Sequence, residues 1–209
     1  MQRAADLAST VGAPLYVVHT SSERALLAAL RHRRDDVAVH IEACPHYLSH
    51  DVSWPCGVMG KINPPLREAS DREVAAGAAL RRYRQRRDRS CASRCHRQAG
   101  RHLGSVAGLS RPRDPVAVLL TEGHHKRGMP LERVADVSAT APARLMGLGQ
   151  SKGSIIVGYD AYLTCVDLGK PWRLERSDVV SSAGYSIYEG WLFQRRSCKR
   201  RVARPVCFA

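Results

Sequence analysis

Apolar residues fall along the chain in short blocks whose period changes, and the changes mark an alternation of strands and helices. Leu15 to Val18 is a continuous apolar run, the pattern of a strand buried on both faces in a parallel sheet. Ser21 or Ser22 stands where a helix N-cap belongs, and Leu26, Leu27 and Leu30 form an apolar stripe. Arg31, His32, Arg33 and Arg34 then sit where cations complement the dipole at a helix end. Val37 to Ile41 predicts a second strand. Such a strand, helix, strand unit crosses over right-handedly, which puts His19 and the segment Glu42 to His46 at one carboxyl edge of the sheet. That edge carries the chemistry in βα barrels.

Pro64-Pro65 fits neither a helix interior nor a central strand, so Lys61 to Leu66 reads as a strand end turning into a loop. Ser70 to Leu80 reads as a helix with Ser70-Asp71-Arg72-Glu73 as its start signal. Neither a period of 2 nor one of 3.6 survives between Arg81 and Arg113. Order returns at Val116 to Leu120, a helix is predicted around Leu131 to Val137, and Thr140 to Leu148 predicts another that ends at glycine. Lys152 to Asp167 reads as a β-hairpin, two apolar runs flanking a Gly-containing turn.

With 209 residues, 44% of them hydrophobic, the chain can bury one sizeable core, yet it is shorter than the roughly 250 residues of a complete (β/α)8 barrel. One large domain, or part of one, is the expectation. No apolar run of transmembrane length and no signal-peptide pattern occurs, so a cytoplasmic location and no membrane partner are expected. Seven irregularly spaced cysteines suit reduced thiols better than a disulfide framework.

The net charge of +14 would ordinarily suggest a polyanion partner. Its distribution weakens that reading, because the window from Arg81 to Arg113 holds 11 arginines and one acid, Asp88. The window from Arg195 to Arg204 holds 5 arginines, Lys199 and no acid, and the rest of the chain is close to neutral. Tyr83 is the single aromatic residue in the two windows, too few for a base-stacking platform, so a basic nucleic-acid-binding module using 81–113 and 195–204 is kept only as the alternative.

Among the chemical candidates, His19 at a strand's carboxyl end suits a zinc ligand as well as a hydrogen-bonded core histidine. Asn63 could hold an amide or simply form the turn before the prolines. His40 and His50 are expected on the surface, and His124-His125-Lys126-Arg127 reads as an exposed helix end before Gly128. Cys91, Cys95, His96 and His102 lack the spacing of common structural zinc sites.

Three motifs converge on a family. The strand Pro14 to Ser22, the signature Ala43-Cys44-Pro45-His46-Tyr47-Leu48 and the run Lys61-Ile62-Asn63-Pro64-Pro65-Leu66-Arg67-Glu68 resemble the cyclic amidohydrolases: dihydropyrimidinase or hydantoinase, dihydroorotase and allantoinase. Ala141 to Leu148 and Lys152 to Ala161 are similar to segments that recur across the wider amidohydrolases. The resemblance implies an α/β chain, the C-terminal part of an amidohydrolase-type (β/α)8 TIM barrel followed by strands of a small β-sandwich. Its parts would be barrel βα units in 1–80, an aberrant Arg-rich segment in 81–115, the last barrel helices in 116–150, a β-sandwich return in 151–193 and a basic tail in 194–209.

The implied activity is hydrolysis of a ring amide C–N bond in a hydantoin, dihydropyrimidine, dihydroorotate or allantoin. The resemblance implies two zinc ions and an aspartate at the eighth strand that moves the proton. On that likeness His19 is a metal ligand, Asn63 binds substrate, and His46 shapes the pocket from behind. The remaining metal ligands are expected to precede the quoted segments, so this chain should be inactive by itself. A cyclic amide is the implied partner; open strand edges also allow pairing with a second copy.

No aspartate of the implied kind follows Leu80, and a shifted reading frame in 81–113 would account for this. If Arg87 to Cys91 is encoded CGC-GAC-CGA-TCA-TGC, dropping the first base gives Ala-Thr-Asp-His. Residues 195–209 would have a similar origin.

Overall fold

The first apolar run does form a strand, and helices lie on both sides of it in the chain. The computed structural model describes residues 2–32, 38–55, 62–80, 115–179, 185–194 and 196–203. They fall into two compact units, Met1–Leu109 and Ser110–Ala209. The Arg-rich window up to residue 113 lies outside the described residues, as do Cys91, Cys95, His96 and His102.

In the first unit, α1 (Gln2–Thr10) leads to β1 (Leu15–Val17), α2 (Glu23–His32) and β2 (Val39–Ile41). A short α3 (His46–Ser49) and α4 (Ala69–Leu80) follow. β1 and β2 pair in parallel with Leu15 opposite Val39, Tyr16 opposite His40 and Val17 opposite Ile41. Strand alternation then separates two faces. Leu15, Val17, Val39 and Ile41 pack with Ala8, Leu26, Ala29, Leu30 and Val74 of the helices, while Tyr16, His40 and Glu42 belong to the opposite face. Each fully buried leucine or isoleucine of such a layer stabilises the fold by roughly 1.5–3 kcal/mol.

Two expectations are corrected here. β1 is only partly buried on both faces and ends at Val17, and Val18 is 47% exposed. The helical stripe is Leu26, Ala29 and Leu30, at i, i+3 and i+4; Leu27 lies one residue round the helix from that arc and is exposed.

The N-terminus of α2 is capped twice. Ser22 Oγ accepts from the Ala25 amide at 3.3 Å, as the sequence predicts, and Asp71 Oδ1 of α4 accepts from the Glu23 amide at 2.6 Å. Asp71 thus joins α4 to α2, in addition to lying in the first turn of its own helix. A second apolar cluster gathers Cys44, Tyr47 and Leu66 with Trp54 and Ile62. His50, expected on the surface, is buried: its Nδ1 lies 2.9 Å from Ser49 Oγ and its ring meets Trp54 edge-on at 4.8 Å. His40 is half-buried for a similar reason, since it stands opposite Tyr16 within the sheet.

The second unit begins with α5 (Pro115–Val118), which runs on through wider turns from Leu119 to His125. Its buried Glu122 pairs with Lys126 at 2.7 Å and Arg127 at 3.1 Å. The helix closes before Gly128 with His125 and Lys126 exposed as predicted, whereas His124 and Arg127, expected exposed with them, are half-buried against the Met129 carbonyl and Glu122. α6 (Leu131–Ala135) continues by a wide turn to Thr140 and into α7 (Ala141–Leu145).

The predicted hairpin over Lys152 to Asp167 does not form. Ile155, Ile156 and Val157 are exposed in a looped segment, and only the second run becomes a strand, β3 (Ala161–Asp167). Hydrogen bonds close the loop instead: the Asp160 amide donates to the Ser151 carbonyl, Tyr159 Oη donates to the Gly149 carbonyl, and Lys152 pairs with Asp160. β3 pairs antiparallel with β6 (Arg196–Ala203), so half of the expected basic tail of 194–209 is a strand. β4 (Trp172–Arg173) pairs with β5 (Leu192–Phe193), where Trp172 stacks on Phe193 at 5.6 Å. No described helix is long and apolar enough to cross a membrane.

Candidate functional site

The site grows out of an irregularity at the end of β1. The Glu42 amide donates to the Val17 carbonyl at 2.8 Å, which continues the parallel ladder. A regular ladder would next bring the His19 amide to the Glu42 carbonyl. The Thr20 amide is there instead, at 2.8 Å, so His19 is an extra residue bulged out of the pairing. Its φ of 55° lies in the left-handed region, where among the described residues it is the one non-glycine. Holding a side-chain-bearing residue there costs about 1–2 kcal/mol, which the two flanking bonds to Glu42 offset.

The bulge aims the imidazole at two buried groups from the end of β2. His19 Nδ1 lies 3.4 Å from Cys44 Sγ and 3.9 Å from Glu42 Oε1. One ligand atom from each of the three residues falls within 4.8 Å of the others. Glu42 is fully buried; Tyr16 Oη donates to its Oε2 at 2.6 Å, while Oε1 accepts no hydrogen bond from the described residues. A buried carboxylate oxygen without a donor costs about 1–3 kcal/mol or more. Nitrogen, oxygen and sulfur donors around one point are the set that zinc takes. Three donors fit one ion, and a binuclear centre needs ligands beyond these.

Of the other predicted site residues, His46 lies within electrostatic reach of His19. Burial lowers the pKa of His46 to about 3, with His50 and His19 adding repulsion, so its ring is neutral near pH 7. It meets Tyr47 edge-on at 4.2 Å. Burial also pushes the Tyr47 phenol up, reinforced by Cys44, and its hydroxyl donates to the Pro64 carbonyl at 2.8 Å. Tyr47 therefore ties α3 to the Pro64-Pro65 bend. Asn63, one residue earlier, is exposed.

Glu42 and Cys44 were not singled out by sequence reasoning. The available signal was a charged residue at the end of an apolar strand, two positions after His40 on the same face.

Comparison with known proteins gives consistent matches. The chain is 35% identical to allantoinase from Solibacter usitatus over 208 residues, covering 98% of this chain and 45% of that protein. It is 34% identical to allantoinase from Deinococcus radiodurans, covering 94% of this chain and 44% of that protein. Among solved structures, D-hydantoinase (dihydropyrimidinase) from Thermus sp. superposes with a TM-score of 0.82 at 27% identity, covering 96% of this chain and 46% of that one. No protein-family model matches the chain. The chain thus spans about half the length of the curated relatives it matches. These matches lend no support to the nucleic-acid-binding alternative.

Proposed function

Because the chain belongs to the cyclic amidohydrolases and corresponds to a C-terminal part of their barrel fold, we propose that it is one portion of a metal-dependent hydrolase that opens a cyclic amide, with allantoin the favoured ring. The observation that carries this reading is His19, bulged at the carboxyl end of β1 with Nδ1 directed at Glu42 and Cys44. The allantoinase names of the curated relatives at 34–35% identity support allantoin over a hydantoin or dihydropyrimidine, a D-hydantoinase from Ralstonia pickettii matching at 27%.

A bound zinc ion would supply a water of lowered pKa and polarise the ring carbonyl. His19 is the ligand this chain offers to the family's metal centre. Tyr16 fixes Glu42 through the 2.6 Å hydrogen bond and so fixes what faces His19. His46, kept neutral by burial, adds no positive charge beside a metal. The Tyr47 hydroxyl holds the Pro64 carbonyl and with it the bend that presents Asn63, which can donate to and accept from a ring amide.

Hydrolysis needs a proton acceptor and donor besides the metal ligands, and the described residues supply no aspartate in the implied role. The proposal therefore includes that the chain is inactive alone. The test is ring opening of allantoin, hydantoin, dihydrouracil and dihydroorotate by the purified chain with added zinc. No turnover of any ring is expected; sustained turnover would contradict the reading.

A further inference from the structure

We propose that His19, Glu42 and Cys44 form a single-ion site of their own, which takes one thiophilic divalent cation such as zinc, cobalt or cadmium within this chain. The inference rests on the proposed function in sharing both His19 and the contact of its Nδ1 with Glu42 and Cys44, and adds that these two residues are themselves ligands.

Geometry comes first. For a tetrahedral ion with ordinary zinc bond lengths, neighbouring nitrogen, oxygen and sulfur ligands stand about 3.4–3.6 Å apart. His19 Nδ1 lies 3.4 Å from Cys44 Sγ and 3.9 Å from Glu42 Oε1, and the three ligand atoms all lie within 4.8 Å of one another, so seating an ion takes a closure of at most about 1.2 Å on the longest edge. The three atoms converge although they come from two strand ends, because the bulge turns His19 out of the ladder and towards β2.

Electrostatics comes second. Glu42 is fully buried and Oε1 accepts no hydrogen bond from the described residues, while its other oxygen is held by Tyr16. A desolvated carboxylate oxygen beside a buried thiol is unfavourable until a cation lies between them. Metal coordination would deprotonate the thiol outright, giving two anionic donors and one neutral imidazole around a divalent ion. His19 remains partly exposed, which leaves a route for the ion and a position for water as fourth ligand.

The donor set also predicts selectivity. Thiolate and imidazole favour zinc, cobalt and cadmium over the hard ions magnesium and calcium, which want oxygen donors throughout. A site of this kind binds thiophilic metals whether or not ring-opening chemistry occurs.

The experiment is cobalt(II) titration of the full chain, followed by the thiolate-to-cobalt charge-transfer band. One cobalt per chain, displaced by zinc and indifferent to excess magnesium, is expected. Cys44→Ser should abolish the band, and Glu42→Gln should weaken binding by more than about 100-fold, beyond the roughly 10- to 100-fold typical of an outer hydrogen-bond partner. A chain in which every cysteine except Cys44 is changed to serine should keep the band, which guards against misfolding of the Cys44→Ser variant. Absence of a band in the parent chain, its persistence in Cys44→Ser, or its loss in the Cys44-only chain would overturn the proposal. If His19→Ala abolishes metal binding while Glu42→Gln and Cys44→Ser leave affinity unchanged, the three-ligand site is wrong and the family role of His19 stands. If His19→Ala has no effect on binding, both readings fail.

Discussion

Gly153→Ala is expected to destabilise the second unit far more than Gly158→Ala, although both glycines have left-handed backbones and lie in one loop. Gly153 has φ 87° and Gly158 has φ 91°, so the backbone cost of adding a Cβ is about 1–2 kcal/mol at each. Their surroundings differ. A Cβ on Gly158 meets no atom of the described residues within 4 Å, whereas one on Gly153 would lie 2.6 Å from Ala143 Cβ, 3.0 Å from the Ala139 carbonyl oxygen and 3.1 Å from Thr140 Cα. Those atoms belong to backbone or to a Cβ and have no rotamer by which to move aside. The neighbouring bond from Thr140 Oγ1 to the Gly153 carbonyl, 2.6 Å, would be strained as well. Overpacking of this kind adds about 1–3 kcal/mol, giving about 2–5 kcal/mol for Gly153→Ala against about 1–2 kcal/mol for Gly158→Ala. Urea unfolding of the full chain, with each variant beside the parent, measures the difference. Equal costs would refute the claim that close approach to α7, rather than backbone conformation, demands glycine at position 153.

Three further outcomes are expected. Tyr16→Phe removes the donor to Glu42 Oε2 and should cost about 1–3 kcal/mol in urea unfolding, since a charged acceptor loses its partner inside the fold. Asp51 is held below the usual carboxylate range by hydrogen bonds from the Ser53 side chain and amide and by Arg72 at 2.7 Å, against the opposing effect of burial. That stabilisation is present above the unfolded pKa and lost as pH falls through the lower folded one, so Asp51→Asn should be less stable than the parent at pH 7, with the gap closing below about pH 4. Sequencing the gene across residues 81 to 115 should reveal an Asp-His pair in the shifted frame; a stop codon there, or no such pair, would end the frameshift account.

Local patterns were legible in the sequence and long-range ones were not. The Ser22 cap, the β1 to α2 to β2 unit and the helix end at Gly128 depend on residues within a few positions of each other, and each stands where the pattern puts it. The Asp71 cap on α2 joins residues 48 positions apart, which no local signal announces. The hairpin failed because Ile155 to Val157 carries strand-like residues while Gly153 must pack against α7, and tertiary closure overrode propensity. His50 was misplaced because a loop histidine gives no sign that Trp54 will cover it. At the site, His19 was readable as a strand-end histidine, but the bulge that aims it is a matter of ladder register. Glu42 and Cys44 become partners only through that register.

The most direct test of the central claim joins this chain to the N-terminal portion of the Solibacter usitatus allantoinase, in two versions. One keeps residues 81–115 as they stand, and the other replaces them with the corresponding stretch of that relative. The assay is zinc-dependent ring opening of allantoin. The account predicts no turnover in the first version, turnover in the second, and its loss when His19→Ala is introduced there. Turnover in the first version, or turnover in the second that survives His19→Ala, would contradict it.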